Sequence, residues 1–160
     1  MSEQIRKNPF FEPYHTLHET VPFNDITLAD IEEAFIEGIK RDNEQIEKIT
    51  NNPDRPTFDN SIIYHEEGKE NYYDLLDRVS TVFYNLMSAE TNDEMDALAE
   101  KMQPLLTKHA NDIRLNPKLF ERTKYVHRYH RRLTPEEKVL LEDAYIGFTR
   151  SGALLDDKGK

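Results

Sequence analysis

The sequence predicts an all-α protein with about five amphipathic helices in a bundle-like array. Apolar residues recur at helical spacing along most of the 160-residue chain, and no segment shows the alternation that is typical of a β-strand. Capping sequences and prolines divide this pattern into separate segments. We therefore expect an extended N-terminal arm over residues 1–26 and a helical domain over residues 27–160.

The first predicted helix covers residues 28–49 and begins after a capping sequence. The hydroxyl oxygen of Thr27 can cap this helix, and Asp30 supplies an acidic side chain at the third helical position. Pro53 and Pro56 end the segment, because proline lacks a backbone N–H and restricts the residue before it. The predicted core positions are Ile31, Phe35, Ile39, Ile46 and Ile49.

The middle of the chain predicts two helices. One follows the sequence TFDN at residues 57–60 and continues past Gly68, since a single glycine costs a helix only about 1 kcal/mol. Its predicted core positions are Ile62, Leu75, Leu76, Val79, Val82, Phe83 and Leu86. The next begins at a capping box of Thr91 and Glu94 and is expected to bend near Pro104. Its predicted core positions are Met95, Leu98, Met102, Leu105, Leu106 and Ile113.

The last third of the chain predicts two more helices. Asn116 caps the fourth, and Pro117 follows at the first helical position, where its missing N–H is not needed. The fifth begins with TPEE, in which Thr134 is the cap, and Gly152 can end it in the left-handed conformation. The predicted core positions are Leu119, Phe120 and Val126 in the fourth helix and Val139, Leu140, Ala144, Tyr145 and Phe148 in the fifth.

The composition excludes several classes of function. The chain has 21 Lys and Arg against 31 Asp and Glu, a formal net charge of −10, which disfavours nucleic acid and anionic membranes as partners. The chain has no cysteine, so it can form neither a disulfide nor a thiolate metal site. The sequence shows no apolar run of the roughly 18 residues that span a bilayer and no signal-peptide pattern near its start. These features favour a cytoplasmic location.

One basic cluster interrupts the acidic sequence. It consists of Lys124, Arg128, Arg131 and Arg132, with His127 and His130 among them. We interpret it as a solvated helix face, where cations near a C-terminus complement the helix dipole. Binding of nucleic acid by this cluster is the competing interpretation, which the net charge disfavours.

Residues 65–69 read HEEGK and resemble the H-E-x-x-H helix of zinc peptidases. His65 and Glu66 fit its first two positions, but Lys69 stands where the second zinc-binding imidazole is needed. Glu67 cannot complete the set, because adjacent helical residues point about 100° apart. The sequence therefore predicts no zinc site at His65.

Two further histidine pairs invite a metal-binding interpretation. His15 and His18 lie in the N-terminal arm without an identifiable third ligand. His127 and His130 are predicted to share a helix face, but the neighbouring arginines would repel a dication. We interpret all four as surface histidines and predict no catalytic, cofactor-binding or metal-binding residue in this chain.

Six segments of the chain, in order, resemble the N-terminal region of the thimet oligopeptidase family. They are NPF and VPFNDI (8–10 and 21–26), NNPDRPTFDNSI (51–62), DRVSTVFYNLMSAETNDEM (77–95), PLLTKHANDIRLNPKLFERTKYV (104–126) and GFTRSGALL (147–155). The resemblance is nearest to the branch of bacterial peptidyl-dipeptidases and oligopeptidase A. It extends from about Asn8 to the last residue.

The resemblance implies that this chain is part of a longer zinc metallopeptidase. Members of that family are helical, with two lobes around a channel, and their zinc motif lies far beyond the segment matched here. This implies a helical domain that walls the channel, with the rest of the polypeptide as its partner and short peptides as substrates of the parent. The zinc would belong to the parent, and the chain alone is predicted to be inactive.

The alternative is a stand-alone helical protein-interaction module with no catalytic role. An H-E-x-x-H motif beyond residue 160 in the gene would favour the peptidase, and a stop codon there would favour the module. For the peptidase, we expect exposed apolar residues where the missing helices would pack. The expected positions are Tyr145, Phe148, Leu154 and Leu155.

Overall fold

A computed structural model of the chain describes residues 6–62 and 74–152, and within these residues it contains helices and turns but no strand. The predicted all-α fold is confirmed. Six α-helices follow three short 3₁₀ turns in the described residues. They are α1 (Leu28–Thr50), α2 (Phe58–Ser61), α3 (Asp74–Ala89), α4 (Asp93–Arg114), α5 (Pro117–Tyr129) and α6 (Pro135–Arg150).

The described part of the N-terminal arm combines extended backbone with three 3₁₀ turns. These turns are Pro9–Phe11, Leu17–Glu19 and Phe23–Asp25. Phe10 is fully buried, and the Asn8 side chain donates to the carbonyl oxygen of Asp30 at 2.9 Å. The arm thus packs on the first helix, and its predicted boundary at residue 26 stays a prediction.

The first of two compact units contains the described residues 6–42 and 74–106. Its core joins side chains of the arm, α1, α3 and α4, and Phe35 meets Phe83 edge to face at 5.6 Å. Gly38 allows α1 to approach α3 closely, because a Cβ atom at this position would lie 3.0 Å from Leu76 Cβ. The buried residues of this core are Phe10, Ile31, Ala34, Phe35, Leu75, Val79, Val82, Phe83, Met95, Leu98 and Met102.

The second unit contains the described residues 43–62 and 107–152 and has two apolar clusters. One consists of the buried residues Ile49, Leu119, Phe120 and Phe148, and the other of Phe58, Val126 and Leu141. Both clusters depend on α5 and α6, whose side chains occur in each. The predicted core positions Leu119, Phe120 and Val126 are therefore confirmed.

Arg122 on α5 holds the irregular segment before α2 in place. Its side chain is buried, and Nη1 donates to the carbonyl oxygen of Asn52 at 3.0 Å. Nη2 donates to Oδ1 of Asn60 at 2.9 Å, and Nε donates to Oγ of Ser61 at 3.2 Å. Because these partners are neutral, the guanidinium is stabilised here by hydrogen bonds.

Most predicted helix boundaries agree with the structure. Thr27 and Asp30 exchange capping hydrogen bonds, and Thr134 forms a complete capping box with Glu137. Asn116 caps α5, and Gly152 follows α6 with a φ of 89°. These signals are local, which explains why the sequence predicts them.

The predicted start of the third helix is wrong by one residue. Asn92 is the cap of α4, since its Oδ1 accepts a hydrogen bond from the backbone N–H of Met95 at 2.9 Å. The hydroxyl of Thr91 donates instead to Asp96 at 2.8 Å. Asparagine caps helices as well as threonine does, so the TN pair offers two starts. The helix then continues through Pro104.

Three predicted core residues are exposed. Leu105 on α4 is 43% exposed, and Val139 and Leu140 on α6 are 62% and 47% exposed. Leu105 adjoins Leu106 and Leu140 adjoins Leu141, and both of these neighbours pack on a core. Adjacent helical residues point about 100° apart, so only one of two neighbours can face the core centre.

The predicted exposure of apolar residues near the end of the chain is also wrong for the two of them that the structure describes. Phe148 is buried, and Tyr145 packs against the same cluster. Leu154 and Leu155 lie outside the described residues. The same holds for His65, Glu66, Glu67, Gly68 and Lys69, in the segment between α2 and α3. No described helix is long and apolar enough to cross a membrane.

Candidate functional site

The histidines of the arm do not build a metal site. His15 and His18 are both exposed, and His18 adopts a left-handed backbone conformation with a φ of 60°. Over residues 6–62 and 74–152, no group of three His, Cys, Asp or Glu side chains could hold a metal ion. A zinc site needs at least three protein ligands, so these residues offer none.

His127 and His130 make separate contacts, and the prediction that they share a helix face stays a prediction. His127 stacks on Tyr145 with a ring separation of 4.1 Å, and its Nε2 lies 2.9 Å from Oε2 of Glu142. His130 follows the last residue of α5, and its Nε2 lies 3.1 Å from the carbonyl oxygen of Pro56. His130 is thus the C-terminal cap of α5, and its backbone N–H still donates to the carbonyl oxygen of Val126.

A row of two tyrosine side chains with an arginine at each end lies on the surface of the second unit. The guanidinium of Arg55 lies 5.4 Å above the ring of Tyr125, and its Nε donates to the Tyr125 hydroxyl. Tyr125 contacts Tyr129 at a ring separation of 4.7 Å, and the guanidinium of Arg128 lies 5.4 Å from the Tyr129 ring. Each cation therefore faces an aromatic ring at a favourable distance.

Arg131 and Arg132 follow these residues in the sequence and are exposed. They follow His130, whose imidazole contacts the carbonyl of Pro56, the residue after Arg55. We name the set of Arg55, Tyr125, Arg128, Tyr129, Arg131 and Arg132 the basic-aromatic surface. Arg128 is exposed on α5 as predicted. Arg131 and Arg132 are exposed but follow the helix, which ends at Tyr129, so the predicted helix face is wrong for these two.

The two tyrosines of this surface were not among the predicted functional residues. Tyr125 and Tyr129 are four residues apart, a spacing that places two side chains on the same face of a helix. That signal was available in the sequence. The participation of Arg55 was not, since 70 residues separate it from Tyr125.

The outer sides of α6 form a second candidate surface. Val139 and Leu140 are exposed, while Leu141 and Phe148 of the same helix are buried. Gly147 is exposed as well, and a Cβ atom built on it would meet no atom within 4 Å. Apolar or small residues of α6 are therefore exposed as well as buried in the described part of the chain.

The first unit has two open grooves. One, of about 350 Å³, lies between the starts of α1 and α4 and is lined in part by Leu28, Leu98 and Lys101. The other, of about 310 Å³, includes Phe23 and Met95. Neither is lined by a histidine, serine or cysteine, so these grooves lack the pairing of a nucleophile with a histidine base.

The most strongly shifted carboxyl group has a structural role. Burial opposes ionisation of Asp30, but hydrogen bonds from Arg6 and Thr27 outweigh this effect and lower its pKa to about 2. Arg6 Nη1 lies 2.7 Å from Asp30 Oδ1. Because the carboxylate caps α1, its ionisation stabilises the start of that helix.

Comparison with known proteins identifies two relatives. The chain is 35% identical over 161 residues to dipeptidyl carboxypeptidase of Escherichia coli (strain K12). It is 32% identical over 155 residues to dipeptidyl carboxypeptidase of Salmonella typhimurium (strain LT2). Each match covers 96% of this chain and 22% of the relative, so the chain spans about a fifth of the length of these relatives. No protein-family model matches the chain.

The resemblance to the peptidyl-dipeptidase branch is therefore confirmed. The chain matches an N-terminal fragment of a peptidyl-dipeptidase along almost its whole length. It is similar to part of a peptidase-family protein, and its own described residues carry no metal-binding group of side chains.

Proposed function

We propose that this chain is the N-terminal helical domain of a longer zinc-dependent peptidyl-dipeptidase or oligopeptidase. The observation that carries the proposal is the 35% identity to a dipeptidyl carboxypeptidase over 96% of the chain but only 22% of the relative. The domain walls the channel through which short peptides reach the catalytic residues. We propose a cytoplasmic location for the parent protein.

The proposed domain contributes shape to the enzyme and leaves the chemistry to other segments. The zinc of the parent would activate water for hydrolysis of the peptide bond. The described residues of this chain do not fit that ion, because they include no group of three ligands. No step of hydrolysis is therefore assigned to them, and we propose that the chain alone is inactive.

The rest of the same polypeptide is the proposed partner of this domain. A helix that is apolar all round is usually buried on all sides. α6 is partly charged but has apolar side chains on more than one side, with Leu141 and Phe148 buried and with Val139 and Leu140 exposed. The open space beside Gly147 would admit a neighbouring helix at close range. These features support a covering of α6 by catalytic helices of the parent.

The proposal is tested with the complete polypeptide encoded by the gene. We expect it to hydrolyse short peptides, to lose activity with a chelator and to regain it with zinc. The 160-residue chain alone should be inactive under the same conditions. Release of C-terminal dipeptides would identify a peptidyl-dipeptidase, and internal cleavage would identify an oligopeptidase.

A deletion of residues 1–150 tests the channel-wall role. We expect the shortened enzyme to fold poorly or to accept larger substrates, since one wall of the channel is removed. A soluble deletion variant with unchanged turnover that still rejects folded proteins would contradict the role. A reading frame that stops after residue 160 would contradict the parent enzyme and favour a stand-alone interaction module.

A further inference from the structure

We propose that the basic-aromatic surface binds acidic segments of polypeptides. The surface consists of Arg55, Tyr125, Arg128, Tyr129, Arg131 and Arg132, all in the second unit. This inference does not depend on the proposed peptidase, because it concerns binding by the chain itself. Three observations support it: unpaired charge, a local excess of cations and rings that hold the cations in place.

The arginines of this surface lack carboxylate partners in the described part of the chain. No salt bridge joins Arg128, Arg131 or Arg132 to a described residue, whereas Lys124 is paired with Glu121 at 3.2 Å. Carboxylates are abundant in this chain, which has 31 Asp and Glu. Arg128, Arg131 and Arg132 can therefore pair with carboxylates from another molecule.

The local charge is opposite to that of the whole chain. From Arg122 to Pro135 the sequence contains five Lys or Arg residues and no Asp or Glu, while the whole chain has a net charge of −10. Arg122 is buried, and the other four cations are at least partly exposed. A short acidic peptide can meet this patch without approaching the rest of the acidic surface, whereas a long polyanion would be repelled by it.

The tyrosine rings restrict the cations before any ligand arrives. Arg55 lies over Tyr125 and Arg128 over Tyr129, each with its guanidinium carbon about 5.4 Å from the ring centre. Tyr129 remains 53% exposed, so one part of the ring is available to a ligand. A guanidinium held on a ring loses less rotamer entropy on binding and presents its paired N–H donors to a carboxylate.

Acidic polypeptide is favoured over nucleic acid on two grounds. Nucleic acids are usually long polyanions, whose remaining phosphates the net charge of −10 repels, whereas an acidic segment of a polypeptide can be short enough to contact this patch alone. Arginine also binds carboxylates in a bidentate geometry, which suits aspartate and glutamate side chains.

The test measures binding of a fluorescein-labelled hexaglutamate with an amidated C-terminus to the 160-residue chain by fluorescence anisotropy. We expect binding that weakens several-fold when sodium chloride rises from about 50 to about 300 mM, because exposed charge pairs are screened. The variant Arg128→Gln/Arg131→Gln/Arg132→Gln should bind about tenfold more weakly, since each exposed pair contributes a few-fold.

Two further variants separate the surface from total charge. Lys118→Gln/Lys138→Gln/Arg150→Gln removes the same three charges from exposed positions outside the surface and should bind almost as tightly as the unaltered chain. Arg128→Lys/Arg131→Lys/Arg132→Lys should keep part of the binding, because charge remains and bidentate geometry is lost. Far-UV circular dichroism establishes that each variant is folded.

Three results would overturn the proposal. They are the absence of hexaglutamate binding, an equal loss in the two glutamine variants, and tighter binding of a labelled hexauridylate than of hexaglutamate. The last result would assign the surface to nucleic acid. None of these outcomes depends on peptidase activity, so the proposed function and the binding surface can fail separately.

Discussion

The helices α1 and α6 begin with similar caps, but their side chains differ in how far they are buried. Both begin at a threonine that exchanges capping hydrogen bonds with an acidic side chain three residues later. In α1, Ile31 and Phe35 are buried, and Gly38 lies against Leu76. In α6, Val139 and Leu140 are exposed and Gly147 faces open space.

This difference separates the local signals that start a helix from the tertiary contacts that stabilise it. A capping box and a helical sequence are local, and both helices have them. The covering of side chains depends on the rest of the polypeptide. α1 finds its neighbours in the arm, α3 and α4, all within this chain. Among the described residues, α6 packs through Leu141 and Phe148 and leaves Val139 and Leu140 exposed.

The largest expected effect comes from truncating the buried side of α1. Phe35→Ala should lower the free energy of unfolding by about 3–5 kcal/mol, because it leaves a cavity and removes the contact with Phe83. Val139→Ala should change it by less than about 0.5 kcal/mol. Urea denaturation followed by circular dichroism measures both. Similar losses in the two variants would mean that the outer side of α6 is packed after all.

The second prediction asks whether the second unit is as well ordered as the first. Arg122→Met should lower the free energy of unfolding by about 2–3 kcal/mol, since buried acceptors on Asn52, Asn60 and Ser61 lose their donor. Arg131→Met, at an exposed position, is the matched control and should be nearly neutral. If Arg122→Met were equally neutral, loose packing of the second unit would explain the exposed residues of α6.

Arg122 also marks the limit of prediction from the sequence. The caps at Thr27, Asn116 and Thr134 were predictable because each is formed by residues a few positions apart. The partners of Arg122 are 61 to 70 residues away in the chain, and no local pattern indicates them. Helices were therefore predictable, whereas buried polar contacts were not.

The candidate surfaces show the same limit. The cations of the basic-aromatic surface were visible in the sequence as a cluster, but the ring beneath Arg55 belongs to a distant residue, Tyr125. On α6, the spacing of apolar residues predicted a helix and could not distinguish Leu140 from Leu141. A helix with apolar residues on several sides has no single core face in its sequence.

The third prediction compares the two capping boxes through pH. The pKa of Asp30 is lowered from 3.8 to about 2, so its contribution to stability is present above about pH 4 and is lost as the pH falls through 2. Asp30→Asn should therefore cost about 1–2 kcal/mol at pH 7, allowing for the exposure of Arg6, and much less at pH 2. Urea denaturation at both pH values measures this.

The box of α6 provides the control for this experiment. Glu137 accepts its capping hydrogen bond at the surface, without a paired arginine like the exposed Arg6 beside Asp30. Glu137→Gln should cost only a few tenths of a kcal/mol at either pH, because glutamine also serves at this position of a capping box. A pH-independent loss in Asp30→Asn would show that the charge of Asp30 contributes little to folding.

The smallest effects come from the two helical glycines, and their signs should be opposite. Alanine favours a helix over glycine by roughly 0.5–1 kcal/mol. In Gly38→Ala the new methyl group would lie 3.0 Å from Leu76 Cβ and 3.1 Å from Leu76 Cα, and this crowding costs about 1–3 kcal/mol. The variant should therefore be less stable than the unaltered chain by about 1 kcal/mol.

Gly147→Ala meets no atom within 4 Å and should stabilise the 160-residue chain by about 0.5 kcal/mol. Thermal and urea denaturation of both variants measure the signs. If α6 is covered in a longer polypeptide, the same methyl group would crowd the covering helix there. Gly147→Ala would then stabilise the short chain and destabilise the complete protein. Stabilisation by the same amount in both would place Gly147 at a permanent surface and limit the covered region to Val139 and Leu140.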